Sequence, residues 1–137
     1  MTMRKVLAVM ALAVVLTAVQ GCADRHIREA GDMAESFVKA YFAAEYDKAA
    51  AMCGEELRAK VEESARQIET LPDSLKSAFL ELAAELEPQA GEVYELSRDS
   101  VMVDFDILVP DEMEPMRNSV LVVRDPEAGT WSVEEIR

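Results

Sequence analysis

This chain has one histidine, His26. Zinc centres and Ser-His-Asp sets draw on histidines at defined spacings, and a lone imidazole with no matching partner motif supports neither. Cysteine is almost as scarce, with only Cys22 and Cys53, so no disulfide framework holds the fold and an apolar core must do so. The five glycines and five prolines are scattered; there is no glycine-rich phosphate loop, no Ser/Gly/Pro-rich spacer, no internal repeat and no low-complexity tract. Cofactor motifs are therefore missing. Basic residues are few, 14 against 27 acidic ones, for a net charge of −13. No Lys/Arg stripe offsets that field, which repels nucleic acid and anionic lipid headgroups alike. No apolar run reaches the ~20 residues that span a bilayer as a helix.

What is present begins at the N-terminus. Arg4 and Lys5 precede an uncharged run of 14 residues from Val6 to Val19, followed by Gln20, Gly21 and Cys22. A cationic start, a short apolar stretch and a small residue at the end read as a secretory signal peptide, residues 1–21. Val19-Gln20-Gly21-Cys22 resembles the lipobox of bacterial lipoproteins. That resemblance implies that Cys22 receives a diacylglyceryl thioether, becomes the new N-terminus and ties the chain to a membrane. Ala23 stands where inner-membrane retention signals carry Asp, so in a Gram-negative cell the outer membrane is the expected address. Residues 22–26 make a very short lipidated tether, which keeps the domain close to the bilayer surface.

Removing residues 1–21 takes away two basic groups and no acidic ones, leaving 116 residues with 27 acidic and 12 basic side chains and a net charge of −15. That length suits one domain with one core. With Cys22 acylated, Cys53 has no partner for a disulfide; it follows Ala49-Ala50-Ala51-Met52 and reads as a small buried hydrophobe. Arg25, His26 and Arg28 lie just beyond the anchor, placed either for headgroup contact or as a solvated first helical turn.

The apolar pattern has two periods. Ala30, Met33, Ala34, Phe37, Val38, Tyr41 and Phe42 recur at three- and four-residue steps and predict a helix from Ile27 to Ala44. Asp47 is the expected cap of a second helix starting at Lys48, which Gly54 interrupts. Leu57, Val61, Ala65 and Ile68 mark a helix from Glu55 to Leu71. Asp73 is the expected cap of a helix from Ser74 to Glu87, with an inward stripe of Leu75, Ala78, Phe79, Leu82 and Leu86, stopped by Pro88. After Gly91 the period becomes two. Strands are predicted over Glu92–Arg98, Val101–Val109, Asn118–Arg124 and Thr130–Ile136, with a tight turn at Asp125–Gly129. Helices followed by an antiparallel meander give an α+β fold, helices on one face of a sheet of about four strands.

Three stretches carry a family resemblance: Ala34–Phe42 passing into Glu45-Tyr46-Asp47-Lys48-Ala49; the two long strands; and the ending Gly129-Thr130-Trp131-Ser132-Val133-Glu134-Glu135-Ile136. Over residues 27–137 the chain resembles small bacterial lipoproteins of the nuclear transport factor 2-like superfamily. The resemblance implies a cone, in which a curved sheet wraps around helices and leaves a pocket at its open end. Trp131, Phe37, Tyr41 and Phe105 are the candidate pocket residues, with Trp131 either lining the cone or packed in its core. Residues 54–88 are longer than the simplest members carry and would cap or fill it.

Some enzymes of that superfamily use a pocket Asp as base with a Tyr or Asp donor, which needs a carboxylate tuned by an apolar wall. Here the carboxylate would be Asp104 or Asp106 and the donor Tyr41 or Tyr94. Alternation points both aspartates away from Val103 and Phe105. They are solvated if that face is the core side, and line the pocket with Met102 and Leu108 if the sheet turns the other face inward. Asp104, Asp106, Asp111, Glu112 and Glu114 match no EF-hand loop and read as a solvated acidic edge that discourages edge-to-edge pairing. Between Pro110 and Met116, two methionines sit on a hairpin loop as an adaptable contact surface. No metal or other cofactor is expected. The favoured expectation is a lipid-anchored, non-enzymatic module that binds an envelope protein or a small apolar ligand. A small-molecule isomerase or hydratase using a pocket Asp, and an assembly component dimerising through the sheet, are the alternatives.

Overall fold

A computed structural model describes residues 25–137. The signal peptide, the Cys22 lipidation site and Ala23 and Asp24 of the tether lie outside the described residues. The chain folds as α+β, with four helices followed by a four-stranded antiparallel sheet of order β1-β2-β3-β4 that does not close into a barrel.

Helix α1 spans 25–42 and buries Ala30, Ala34, Phe37 and Val38 on one stripe. It is already helical at Arg25, ahead of the expected Ile27, and there Arg25 Nε lies 3.2 Å from Glu29 Oε1. It also stops two residues early. The Glu45 N–H donates to the Ala40 carbonyl at 2.8 Å and the Ala44 N–H to the Tyr41 carbonyl at 3.2 Å, a Schellman closure that puts Ala44 at φ 62°. Glycine normally takes that position; an alanine there conceals the helix end in the sequence. Ala44→Gly is expected to raise stability by up to ~1 kcal/mol, read as a higher urea midpoint at unchanged slope; an unchanged or lowered midpoint would contradict the left-handed assignment.

Helix α2 covers Tyr46–Ala51. Asp47 is not its cap, as expected from sequence, but sits in its first turn behind Glu45, where a carboxylate still complements the helix dipole. Met52-Cys53-Gly54 then docks on the free edge of the last strand. The Val133 N–H donates to the Met52 carbonyl at 2.8 Å and the Gly54 N–H to the Val133 carbonyl at 2.9 Å. Gly54 lies so close to the Glu134 carboxylate that a Cβ would displace it, and the helical run breaks here because Gly54 turns to extended backbone and gives its N–H to β4. Helix α3, Glu55–Glu69, buries Leu57 and Val61. Its Arg58 reaches back to donate to the Cys53 carbonyl at 2.9 Å and the Ala50 carbonyl at 3.2 Å, tying the start of α3 to the end of α2.

Helix α4, Asp73–Glu85, has Pro72 rather than Asp73 at its N-cap; proline's fixed φ suits entry into a helix, and Asp73 is already in the first turn. The chain leaves helix at Leu86, whose backbone is extended, and Glu87, the residue preceding Pro88, is held in extended backbone by the proline ring. Strand β1, Glu87–Ser97, therefore begins well before the expected Glu92. Apart from half-buried Pro88 all its residues are exposed, so no in-out alternation marks it in the sequence, and a register shift falls between Ala90 and Val93. Strand β2, Ser100–Leu108, alternates cleanly, with Val101, Val103, Phe105 and Ile107 buried. Strands β3, Met116–Arg124, and β4, Trp131–Ile136, complete the meander. Their hairpin is the expected turn: Gly129 adopts φ 71° and Asp125 Oδ1 accepts the Glu127 N–H at 2.9 Å. At the same end of the sheet Arg124 Nη2 holds Asp99 Oδ1 at 2.8 Å.

One bulge matters for the core. Val122 pairs with Val133 but Leu121 pairs with Glu135, so Glu134 is the extra residue. Strict alternation from Trp131 and Val133 would turn Glu135 inward; the extra residue sends Glu135 outward and Ile136 toward the core. The main core unites α1, α2, α3, β2, β3 and β4.

Candidate functional site

The four candidate pocket residues do not line one cavity. Phe37 and Phe105 are fully buried in the core, where they fill the space between α1 and the sheet. Tyr41 stacks on Phe37, with ring centroids 5.6 Å apart, and its outer side lines an open groove of ≈530 Å³ with Leu57, Val61, Ile136, Glu134 and Glu135. Trp131 is 9% exposed. Its indole N–H donates to Glu29 Oε2 at 3.4 Å, and its rim lines a different open groove, ≈560 Å³, with Met33 and Met52. The expected pocket is thus occupied by its own candidate lining. Of the 54–88 segment, α3 supplies Leu57 and Val61 to that filling, and Leu86, just past the end of α4, packs against it.

The carboxylates also separate from one proposed donor. Asp104 and Asp106 lie on the outer sheet face, opposite the helices, since their neighbours Val103, Phe105 and Ile107 are buried on the inner one. Asp104 Oδ1 accepts the Ser119 hydroxyl at 2.7 Å, and Asp106 Oδ1 lies 3.8 Å from Arg117 Nε. Tyr41 belongs to the helical side, so it cannot act as donor to either. Tyr94 shares a ≈420 Å³ surface groove with both aspartates. Its hydroxyl is given to Glu92 instead, and that hydrogen bond pushes the phenol up to about 12. Among the described residues no three His, Cys, Asp or Glu side chains gather as a metal site, Asp111, Glu112 and Glu114 included.

Cys53 is a packed thiol. It is buried and donates to the Ala49 carbonyl at 3.2 Å; burial pushes it up to about 11, which disfavours the nucleophilic thiolate. Of the three residues expected near the headgroups, Arg25 and Arg28 are exposed, whereas His26 is half-buried.

The sequence reading missed the feature that stands out most. The stripe on α4 was expected to face the core, yet Leu75 is 56% and Leu82 52% exposed. The helix turns a different side inward. Ala83 is its buried residue, Leu80 and Lys76 meet Tyr46, Ala65 and Ile68 across a groove, and Lys76 Nζ lies 2.9 Å from Glu69 Oε2. Strand β1 also bares Val93, Tyr94 and Leu96, with Tyr94 in the outer-face groove that holds Asp104 and Asp106. Among the described residues, α4 carries three exposed leucines, Leu75, Leu80 and Leu82, the kind of bared apolar side chains that mark a contact surface. A signal existed: Leu75, Phe79, Leu82 and Leu86 are spaced 4-3-4, a narrow seam rather than the broad stripe of a core helix.

Main-chain pairing on β1 is obstructed. Pro88, two register shifts and Glu87, Glu92 and Glu95 are the devices by which edge strands are blunted. The contact chemistry of this face is therefore that of side chains. No protein-family model matches the chain, and no curated protein matches it in sequence.

Proposed function

We propose that this chain is a lipid-anchored, non-enzymatic contact module of the cell envelope, a small lipoprotein of the nuclear transport factor 2-like superfamily whose α4 face meets a partner polypeptide. The observation that carries this reading is the bared Leu75–Leu82 side of α4. The order of helices and meander supports the superfamily reading, as does Trp131 opening the last strand. A lipid anchor on Cys22 accounts for attachment, since no helix among the described residues is long and apolar enough to cross a membrane.

The layout suits those two roles. The described part of α1 opens at Arg25, with Glu29 bonded to Trp131, at the sheet end that carries the β3–β4 turn. Its 18 residues extend about 27 Å from there at 1.5 Å per residue. The C-terminal end of α4 enters β1 at Glu87, which pairs with Leu108 at the opposite end of the sheet. The loop carrying Met113 lies at that same far end. The anchor would hold one end at the bilayer while α4 and the methionine loop face away from it.

Site-specific photocrosslinking tests the reading. With p-benzoylphenylalanine in place of Leu82 in the full chain, illuminated cells should give protein adducts several-fold more abundant than the same probe in place of Asn118 on the outer sheet face. Equal yields at the two positions, or none at position 82, would overturn it.

A further inference from the structure

We propose that α4 is a strap: it detaches and melts as a unit while the rest of the domain stays folded, hinged at Leu71-Pro72 and at Leu86, and its release opens the groove it shares with Tyr46, Ala65 and Ile68. The inference stands on how α4 is held, and not on what meets its outer side.

Little holds α4 down. Among the described residues, its backbone makes no extended contact with α2, α3 or the sheet. Ala83 is its buried residue; it contributes a single methyl group and lies outside the main core cluster. Lys76, Phe79 and Leu80 share the face of Ala83 at three- and four-residue spacing. Of these, Lys76 and Phe79 are half-buried and Leu80 is 41% exposed. Most helical stability in proteins comes from packing an apolar face, and α4 leaves Leu75 and Leu82 of its own in solvent.

The polar links are weak as well. Lys76 Nζ meets Glu69 Oε2 at 2.9 Å, but the glutamate is exposed, and such surface pairs add little. No side chain caps the N-terminus of α4, and no basic residue stands in its last turn to complement the dipole. A helix of 13 residues is marginal on its own in water. Once released, α4 therefore does not persist, and its amides meet solvent.

Both flanks are fixed by contrast. Upstream, α3 buries Leu57 and Val61. Downstream, Leu86 packs against the main core and β1 pairs with β2 from Glu87 onward. The backbone turns extended at Pro72, with ψ 147°, and again at Leu86, with ψ 134°, so the helical ladder of α4 is interrupted on both sides. Elements that move in binding are drawn from the least stable parts of a fold, those with few buried apolar contacts. Released, the strap bares Tyr46, Ala65 and Ile68, which in the closed form share a ≈370 Å³ groove with Lys76 and Leu80.

Hydrogen exchange read by mass spectrometry on the full chain in mild detergent supplies the test. Relative to unstructured rates, amides of residues 73–85 should exchange at least about a hundredfold faster than those of β2 and β3. Phe105→Ala lowers the stability of the whole core, so it should speed exchange in β2 by about a hundredfold or more. Residues 73–85 should keep their wild-type rate in that variant, because α4 opens without the core. Should the variant fail to fold, the wild-type chain in urea below its unfolding transition decides: rates in β2 should climb with urea while those in 73–85 stay flat. Equal protection of α4 and β2, or a parallel response of the two to Phe105→Ala or to urea, overturns the strap. The contact reading of α4, tested by the photocrosslink at position 82, stands or falls separately.

Discussion

Phe105→Ala is expected to lower the unfolding free energy by about 3–5 kcal/mol. The ring is 1% exposed in the middle of β2, within the cluster that also holds Phe37, Val38, Val120 and Val122. Removing it deletes a large apolar contact and leaves a cavity that a close-packed interior refills only in part. A domain of this size has roughly 5–15 kcal/mol in total, so the substitution takes a large share of the stability. Asp106→Ala, one residue along the same strand, should cost well under ~1 kcal/mol, because its side chain faces outward and its ion pair with Arg117 is long and solvated. The single tryptophan, Trp131, supplies the readout, since it is buried when folded and its emission shifts red in urea. Comparable costs for the two substitutions would mean that the inner and outer faces of β2 are wrongly assigned.

Cys22→Ser is expected to abolish acylation outright. If the lipobox reading holds, palmitate incorporation falls to background, and the chain keeps residues 1–21 because the serine lacks the sulfur on which the thioether forms. The wild-type chain, by intact mass, should begin at Cys22 and carry the acyl groups. Each buried methylene contributes ~0.8 kcal/mol to membrane binding, so two or three chains hold a protein firmly where one does not. No described helix could substitute for them. A wild-type chain cut before Cys22 but carrying no lipid would reduce the leader to an ordinary signal peptide and remove the membrane from the proposed function.

These two experiments probe parts of the protein that differ in how readily they are read from sequence. Phe105 was legible because β2 alternates without interruption from Ser100 to Leu108, and a strand's period of two is a local property of the backbone. The helices of α1 and α3 were legible for the same reason at period 3.6. Their ends were less so. Ala44 adopts a conformation that glycine usually announces, and Asp47 and Asp73 look like caps but lie one step inside. Strand β1 was half hidden because it is exposed along nearly its whole length and carries a register shift at Gly91 and Glu92, in its middle.

The candidate site shows a deeper limit. Tyr41 and Asp104 were plausible partners on paper, but one sits on the helical side and the other on the outer face, and no local pattern states on which side of a sheet a distant helix will pack. The α4 stripe was recognised residue by residue, and only its destination was misjudged.

What the sequence determined by itself was local and periodic: the class of fold, the order of its elements, the alternation of β2 and the acidic composition. Each follows from backbone period, side-chain chemistry or composition within a short window. Only the tertiary structure decided that Phe37 and Phe105 fill the expected pocket, that Glu134 bulges so Ile136 turns toward the core, and that α4 presents Leu75 and Leu82 outward. Those outcomes depend on which surfaces compete for the same buried volume. Once α1 and α3 had covered β2, β3 and β4, the main core had little room for the seam of α4.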